Sequence, residues 1–145
     1  MLCRVNTLRK KVGKKPVKVD LRLMQSSQKH SEDQARNRQM SHDGIKTKFF
    51  GDQIRAEGYR ALAASENVAF NQRSIVYVMN SWRKSLGHYI NIIEDFECLG
   101  WGEKDFYWTQ NFASGSECTE ATLPNCKVYS SFDSRTMRTG YSYVL

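Results

Sequence analysis

Two histidines, a glutamate and a serine are the residues of this chain whose types could do chemistry together. His42 lies in "MSHDG", Glu66 in "SENVAF", and Ser85 and His88 in "SLGHYINI". Neutral imidazoles and a carboxylate are common ligands of zinc, and the same groups act as acids and bases. His42, Glu66 and His88 are more than twenty residues apart in turn, and a lone histidine more often has a structural role. Whether they form one site therefore depends on the elements that carry them.

The first part of the chain predicts helices. Leu2 to Lys11 can form a short helix, and Gly13 and Pro16 mark the segment after it as a connector. Asp20 is a plausible N-cap for a long amphipathic helix over residues 21–40, which contains no glycine or proline. The buried stripe of that helix is predicted to hold Leu23, Met24, Ser27, Ser31 and Ala35. His30 lies beside the stripe, so we expect a packed, hydrogen-bonded structural histidine.

The middle of the chain predicts two further helices separated by a loop. A short helix is expected to end near Gly58, and "SENVAF" to follow as a loop or brief extended piece. The next helix has Ser74 as its N-cap and Gly87 as its C-terminal stop. His88 would then project from a helix end, as His42 does.

Strands are predicted mostly at the end of the chain. "CLGWG" and "DFYWTQNF" alternate and are aromatic enough to form a β-hairpin, and "KVYSSF" could add a strand. Helices first and strands last favour an α+β fold. A length of 145 residues and a hydrophobic fraction of 40% fit a single packed domain over residues 1–145.

The positive charge is concentrated at the front of the chain. Residues 1–48 hold 13 Lys and Arg against four Asp and Glu, whereas residues 49–145 hold nine against eleven. The basic front is either a solvated face or a surface for phosphate or anionic lipid. No groove-reading motif or stacking-aromatic signature accompanies it, so we expect no nucleic-acid partner. No apolar run approaches the length of a membrane span.

Four cysteines, in no C-x-x-C pair, favour disulfides and an oxidising compartment. Cys118 and Cys126 flank a short polar segment with a Pro-Asn turn, which predicts their pairing and leaves Cys3 with Cys98 by elimination. Three pairings are formally possible, and four free buried thiols are the alternative. The first residues do not have the pattern of a signal peptide, so we expect a leader to have been removed.

Taken in order, five motifs resemble one family. They are "KHSEDQA" leading into "MSHDG", then "GY" and "SENVAF", then "SWRKSLGHYINII", then "GWG", and then "FYWTQNF". The chain resembles the CAP superfamily of cysteine-rich secretory proteins, antigen 5 and pathogenesis-related proteins, over residues from about Leu2 to Phe112. The form W-x-x-S-x-G-H-x-x-N-I, in the third motif, resembles microbial and fungal members most in style.

The resemblance implies a three-layer α-β-α sandwich with a central antiparallel sheet and a cleft lined by two histidines and two acids. By position, these are His42, Glu66 and His88, while Ser85 occupies the place of the second acid. The three present residues are predicted to hold a divalent metal, most simply zinc. Because Ser85 offers only a neutral hydroxyl, its presence is expected to lower metal affinity.

The resemblance favours a secreted, extracellular protein that binds small lipids such as sterols or fatty acids, as a monomer or weak dimer. A metal-dependent hydrolase using His42, Glu66 and His88 is one alternative, and a Ser85–His88–Glu66 nucleophilic set is a weaker form of it. A second alternative is an effector that binds a protein or a membrane surface through the basic front. We expect a binding protein more than an enzyme.

Overall fold

The fold was determined as a computed structural model that describes residues 1–44, 48–119 and Cys126. Its helices are α1 (Leu2–Lys11), α2 (Leu21–Asn37), α3 (Phe50–Ala56), α4 (Ile75–Lys84) and α5 (Leu86–Ile93). Its strands are β1 (Lys18–Val19), β2 (Ala63–Phe70), β3 (Cys98–Lys104) and β4 (Tyr107–Ser114). None of the helices in the described ranges is long and apolar enough to cross a membrane.

The four strands form one mixed sheet in the order β1-β3-β4-β2. The predicted hairpin is confirmed, because β3 and β4 pair antiparallel, and β2 pairs antiparallel with β4 on the other side. The predicted connector contributes the two-residue strand β1, which pairs parallel with β3 through Lys18 and Cys98. The sheet is therefore antiparallel except at this short edge.

Helices α1, α4 and α5 cover one face of the sheet. Their buried apolar side chains pack against the residues of β3 and β4 that point to that face. The principal members of this core are Leu2, Val5, Val78, Met79, Trp82, Ile92, Leu99, Trp108 and Phe112. This is the larger of the two clusters, and α4 contributes Val78, Met79 and Trp82 to it.

Helix α2 covers the other face, with α3 beside it. Leu23 and Ile54 pack with Cys98 and Ala113 in a second cluster. A Cβ at Gly100 would overlap the backbone of Leu23, so α2 lies directly on the strand. The layers are thus α-β-α, as the resemblance implied, and the strand β2 at the sheet edge is reached from both helical layers.

Of two local predictions near the candidate residues, the first was right in one of its alternatives and the second was wrong. "SENVAF" was expected as a loop or a brief extended piece, and the extended alternative is confirmed, because the segment forms most of the eight-residue strand β2, paired along its whole length with β4. Gly87 does not stop a helix, because α4 ends at Lys84 and α5 includes Gly87. The N-caps were predicted correctly: the side chains of Asp20 and Ser74 accept backbone hydrogen bonds at the starts of α2 and α4.

The cysteines are all in disulfides, as predicted, but the predicted pairing was wrong. The structure joins Cys98 to Cys118 and Cys3 to Cys126. Cys98 is the register partner of Ala113 on β4, so the chain that leaves β4 returns to the start of β3 with Cys118. Closeness along the chain favoured Cys118 with Cys126, whereas the hairpin brings Cys118 to Cys98. The predicted strand "KVYSSF" lies outside the described residues.

Candidate functional site

The candidate site lies at the β2 edge of the sheet. Glu66 on β2 is the register partner of Asn111 on β4, and its side chain contacts residues of the α2 layer. Its backbone carbonyl accepts a hydrogen bond from the Asn91 side chain of α5. Glu66 therefore stands where the α2 layer and the α5 layer meet at the strand.

His42 and Glu66 are in direct contact. The Nδ1 atom of His42 lies 3.0 Å from Oε1 of Glu66, and because a carboxylate only accepts, Nδ1 carries the hydrogen. The Glu66 side chain is fully buried, whereas the His42 side chain is 54% exposed. This contact leaves Nε2 of His42 as a potential ligand or base on the exposed side.

The contact between the two groups shifts their pKa values. Burial raises the pKa of the Glu66 carboxyl, and the hydrogen bond from His42 works in the opposite direction. The same hydrogen bond raises the pKa of His42. A buried carboxylate beside a half-exposed imidazole is a pattern seen at functional sites.

His88 lies on the other side of the β2 edge, as the third residue of α5 rather than beyond a helix end. Its Nδ1 is 2.8 Å from the Ser85 hydroxyl, and its backbone carbonyl accepts a hydrogen bond from Asn67. Burial lowers the pKa of His88, and the charge of His42 adds to this effect. The two imidazoles therefore lie near enough to interact electrostatically.

His30 belongs to this region through a contact with Glu66 that the sequence did not predict. It is buried and hydrogen-bonded, with Nε2 2.8 Å from the Ser41 carbonyl oxygen, so the structural histidine that we expected is confirmed. The same Nε2 lies 3.7 Å from Oε1 of Glu66. Its place beside the buried stripe of α2 was visible in the sequence. The strand that it faces was not, because that depends on how α2 docks on the sheet.

The polar layer under the site is incompletely paired. Among the described residues, Nδ1 of His30, Oε2 of Glu66 and Oδ1 of Asn111 are buried without a hydrogen-bond partner. Unpaired buried polar atoms are uncommon in folded proteins and concentrate where a ligand, a water or a proton completes the structure.

The three predicted metal ligands do not form a ready-made set. In residues 1–44, 48–119 and Cys126, no group of three or more His, Cys, Asp and Glu side chains is arranged to hold a metal ion. The Glu66 oxygen nearest to His42 is occupied by Nδ1, as described above. The metal itself stays a prediction.

The Ser85–His88–Glu66 set is not connected as a nucleophilic triad requires. Ser85 and His88 are hydrogen-bonded, but within the described chain the carboxylate of Glu66 bonds to His42 and not to His88. The base therefore lacks the acidic partner that would orient it. The geometry therefore does not support the nucleophilic form of the hydrolase alternative, and the metal-dependent form stays a prediction.

The basic front lines a groove of about 1050 Å³ that also carries acids. Lys14 makes an ion pair with Asp95 at 2.8 Å. The Arg9 guanidinium is buried and donates to backbone carbonyls, including those of Ile92 and Glu94. Part of the predicted basic surface is thus internally compensated, and binding of a membrane or protein there stays a prediction.

The layers define an α-β-α domain in which His42 contacts Glu66 of β2 and His88 lies on α5. The model of the CAP family, described as the cysteine-rich secretory protein family, matches residues 2–112. The chain belongs to this family. Membership does not by itself establish what His42, Glu66 and His88 bind, and their sharing of one cleft stays a prediction.

Relatives from bacteria agree with this assignment. YkwD of Bacillus subtilis (strain 168), described as uncharacterised, is 31% identical over 110 residues, which cover 74% of this chain and 43% of YkwD. The structure of an extracellular protein containing an SCP domain from Bacillus anthracis has a TM-score of 0.74 at 28% identity, covering 77% of this chain and 38% of that one. This chain thus spans less than half the length of either relative.

Another solved structure supports the fold alone. An outer surface protein from Borrelia burgdorferi has a TM-score of 0.69 at 19% identity, and the match covers 77% of this chain and 87% of that protein. Identity this low carries no functional assignment.

Proposed function

We propose that this CAP domain is an extracellular binding module whose cleft takes up a divalent transition metal, most simply zinc, through His42 and His88. The observation that carries the proposal is that each Nδ1 is already engaged, by Glu66 at 3.0 Å and by Ser85 at 2.8 Å. A fixed Nδ1 leaves Nε2 as the ligand atom, which is the usual arrangement of metal-binding histidines.

In this proposal Glu66 orients His42 rather than binding the metal directly. A carboxylate behind an imidazole fixes its tautomer and raises its basicity as a ligand. Two protein ligands leave several positions open, so a bound metal would supply a Lewis-acidic point for an anionic or carbonyl group of a second molecule. Extracellular placement is supported by the two disulfides and by the Bacillus anthracis relative, which is described as an extracellular protein.

The proposal is tested by titrating the disulfide-intact protein with Zn²⁺ by calorimetry and with Co²⁺ by visible absorption. We expect one ion per chain, with His42→Ala and His88→Ala each weakening binding at least about tenfold. Asp105→Asn is the matched control, since Asp105 is an exposed acid in the turn between β3 and β4, away from His42 and His88. A double histidine variant that binds as tightly as the wild type would overturn the proposal.

A second candidate function is the binding of small lipids such as sterols or fatty acids at the rim of this cleft. The observation that favours it is the exposure of Leu86 at 75% and Ile90 at 43%, which lie one turn apart on α5 and flank His88 in sequence. Exposed apolar side chains grouped on one helix face often mark a ligand or partner surface. A metal or imidazole beside them would suit a carboxylate head group.

Lipid binding is tested by mass spectrometry of co-purifying lipid and by fluorescent sterol and fatty acid titrations. Replacing Leu86 and Ile90 together by serine is expected to weaken binding about tenfold, because burial of two aliphatic side chains is lost. Leu62→Ser is the control, since Leu62 is 90% exposed at a different site. If no lipid co-purifies with the wild type and it binds neither the fluorescent sterol nor the fatty acid, this candidate function is excluded.

A further inference from the structure

We propose that His30, buried beneath the cleft, is a positioning residue that holds both the loop and the carboxylate on which the orientation of His42 depends. The inference rests on the proposed function in so far as it concerns metal binding. Its structural part, the orientation of His42, stands on contacts that need no metal.

Two side chains of α2 bind the backbone of the His42 loop at Ser41, one at its carbonyl and one at its amide. Nε2 of His30 donates to the Ser41 carbonyl at 2.8 Å, since a carbonyl only accepts. The Ser41 amide donates to Oε1 of Gln34 at 3.2 Å. His30 and Gln34 are one helical turn apart and therefore lie on the same face of α2. Together they bind both peptide groups of the residue that precedes His42.

His30 and Gln34, the two side chains that bind Ser41, are themselves in the core of the protein. Gln34 is 2% exposed and donates through Nε2 to the Thr109 hydroxyl of β4 at 3.0 Å. His30 is 1% exposed. The loop is thus tied through two buried side chains to the helix and to the sheet.

The side chain of His42 is held through the same histidine. Oε1 of Glu66, which receives the hydrogen of His42 Nδ1 at 3.0 Å, lies 3.7 Å from Nε2 of His30. The N–H of His30 Nε2 is donated to the Ser41 carbonyl, and the carboxylate lies against the same imidazole at a distance that is a contact and not a hydrogen bond. If His30 lost its imidazole, the Ser41 carbonyl would lose its donor and the Glu66 oxygen would lose a neighbour, so the contact that fixes the tautomer of His42 would loosen.

The experiment compares two substitutions of His30, one that keeps a hydrogen-bond donor and one that removes it. His30→Gln retains an amide N–H at about the distance of Nε2, whereas His30→Leu removes the donor. In the metal-free protein at pH 8.5, we read the tautomer of His42 from its imidazole ¹⁵N shifts. We expect the Nδ1–H form in the wild type and His30→Gln, and a shift toward the Nε2–H form in His30→Leu. Co²⁺ affinity is expected to fall about tenfold in His30→Leu and less than threefold in His30→Gln.

Ser27→Ala is the matched control for a general loss of packing. Ser27 is buried on α2, one turn before His30, and it bonds to Asn111 on the sheet but not to the loop. Its removal should lower stability without changing the His42 tautomer. A change in the tautomer of Ser27→Ala as large as that in His30→Leu would overturn the inference.

The remaining outcomes separate the two proposals. If the wild type binds no Co²⁺ but His30→Leu changes the His42 tautomer, the proposed function fails and the positioning role stands. An unchanged tautomer in folded His30→Leu overturns the positioning role, whatever the metal does. If His30→Leu does not fold, His30→Asn takes its place, because its shorter amide cannot reach Ser41. Identical His42 spectra for the Asn and Gln variants would then overturn the inference.

Discussion

Two fully buried carboxylates, Asp20 and Glu66, behave in opposite ways. Asp20 begins α2 next to the short parallel edge of the sheet, and Glu66 lies at the opposite edge, on β2. The side chains of both have no solvent exposure. Burial by itself raises the pKa of either group, yet the pKa of Asp20 lies below its usual range and that of Glu66 above it.

The two pKa shifts differ in sign because the two carboxylates receive different numbers of hydrogen bonds. Oδ1 of Asp20 accepts from the backbone amides of Arg22 and Leu23, and Oδ2 accepts from Thr119 and from the Arg22 guanidinium. Glu66 receives one hydrogen bond, from His42, and its Oε2 has no partner within the described chain. A carboxylate with every lone pair satisfied stabilises the fold, whereas one left partly unpaired is available to a neighbour or a ligand.

The largest expected effect is on folding. Asp20→Asn should lower the free energy of unfolding by about 3 kcal/mol, because it removes charge-assisted hydrogen bonds and turns an amide group toward donors. Urea denaturation of the oxidised protein measures this. The isosteric Glu66→Gln is the comparison and should change the free energy of unfolding by less than about 1 kcal/mol, since it removes a poorly compensated buried charge. Equal losses of unfolding free energy in Asp20→Asn and Glu66→Gln would contradict the proposed difference between the two carboxylates.

The pH dependence of stability should separate the same two groups. Because the folded-state pKa of Asp20 is depressed, its contribution is complete above the unfolded-state pKa of about 3.9 and is lost as the pH falls through the folded-state value. The raised pKa of Glu66 has the opposite sign: its contribution is complete below about 4.3 and is lost as the pH rises through the folded-state value. Urea midpoints from pH 2 to 7 should show a loss on acidification that Asp20→Asn reduces and Glu66→Gln does not.

The affinity for Zn²⁺ should depend on Glu66 and not on Asp20. Glu66→Gln is expected to weaken Zn²⁺ binding about 30-fold, since loss of the charge behind a ligating histidine usually costs 10- to 100-fold. Asp20→Asn should leave the affinity of the folded protein within about twofold. Calorimetry at pH 7.5 measures both, and a Glu66→Gln protein with wild-type affinity would show that the carboxylate does not orient His42.

The smallest effect is expected at Ser85. Ser85→Ala removes the hydroxyl 2.8 Å from Nδ1 of His88 and should weaken Zn²⁺ binding about tenfold, at the low end for an orienting partner because the hydroxyl is neutral. Ser81→Ala is the control, since Ser81 is an exposed serine of α4 whose hydroxyl bonds within its own helix. The same loss in both variants would point to a change in α4 rather than at His88.

The local features of this chain were predictable because their causes are local. Asp20 and Ser74 were recognised as N-caps, since an oxygen-bearing side chain before an apolar periodic run has few other uses. The β3–β4 hairpin followed from alternation. The strand at Glu66 was predicted only as an alternative to a loop, because its central residues are all buried and its sequence shows no alternation. Gly87 was misleading because glycine also occurs inside helices.

The sequence by itself determined the family, the α+β class, the caps and the candidates His42, Glu66 and His88, through motifs that are each confined to a few residues. Tertiary structure alone decided that Cys98 pairs with Cys118 and that Glu66 bonds to His42 and not to His88. It also decided that His30 contacts Glu66 and the Ser41 carbonyl. These outcomes depend on strand register and on how α2 docks against glycines of β3. Such contacts join residues far apart in the chain, so their energies exist only once the sheet and its helical layers have been assembled.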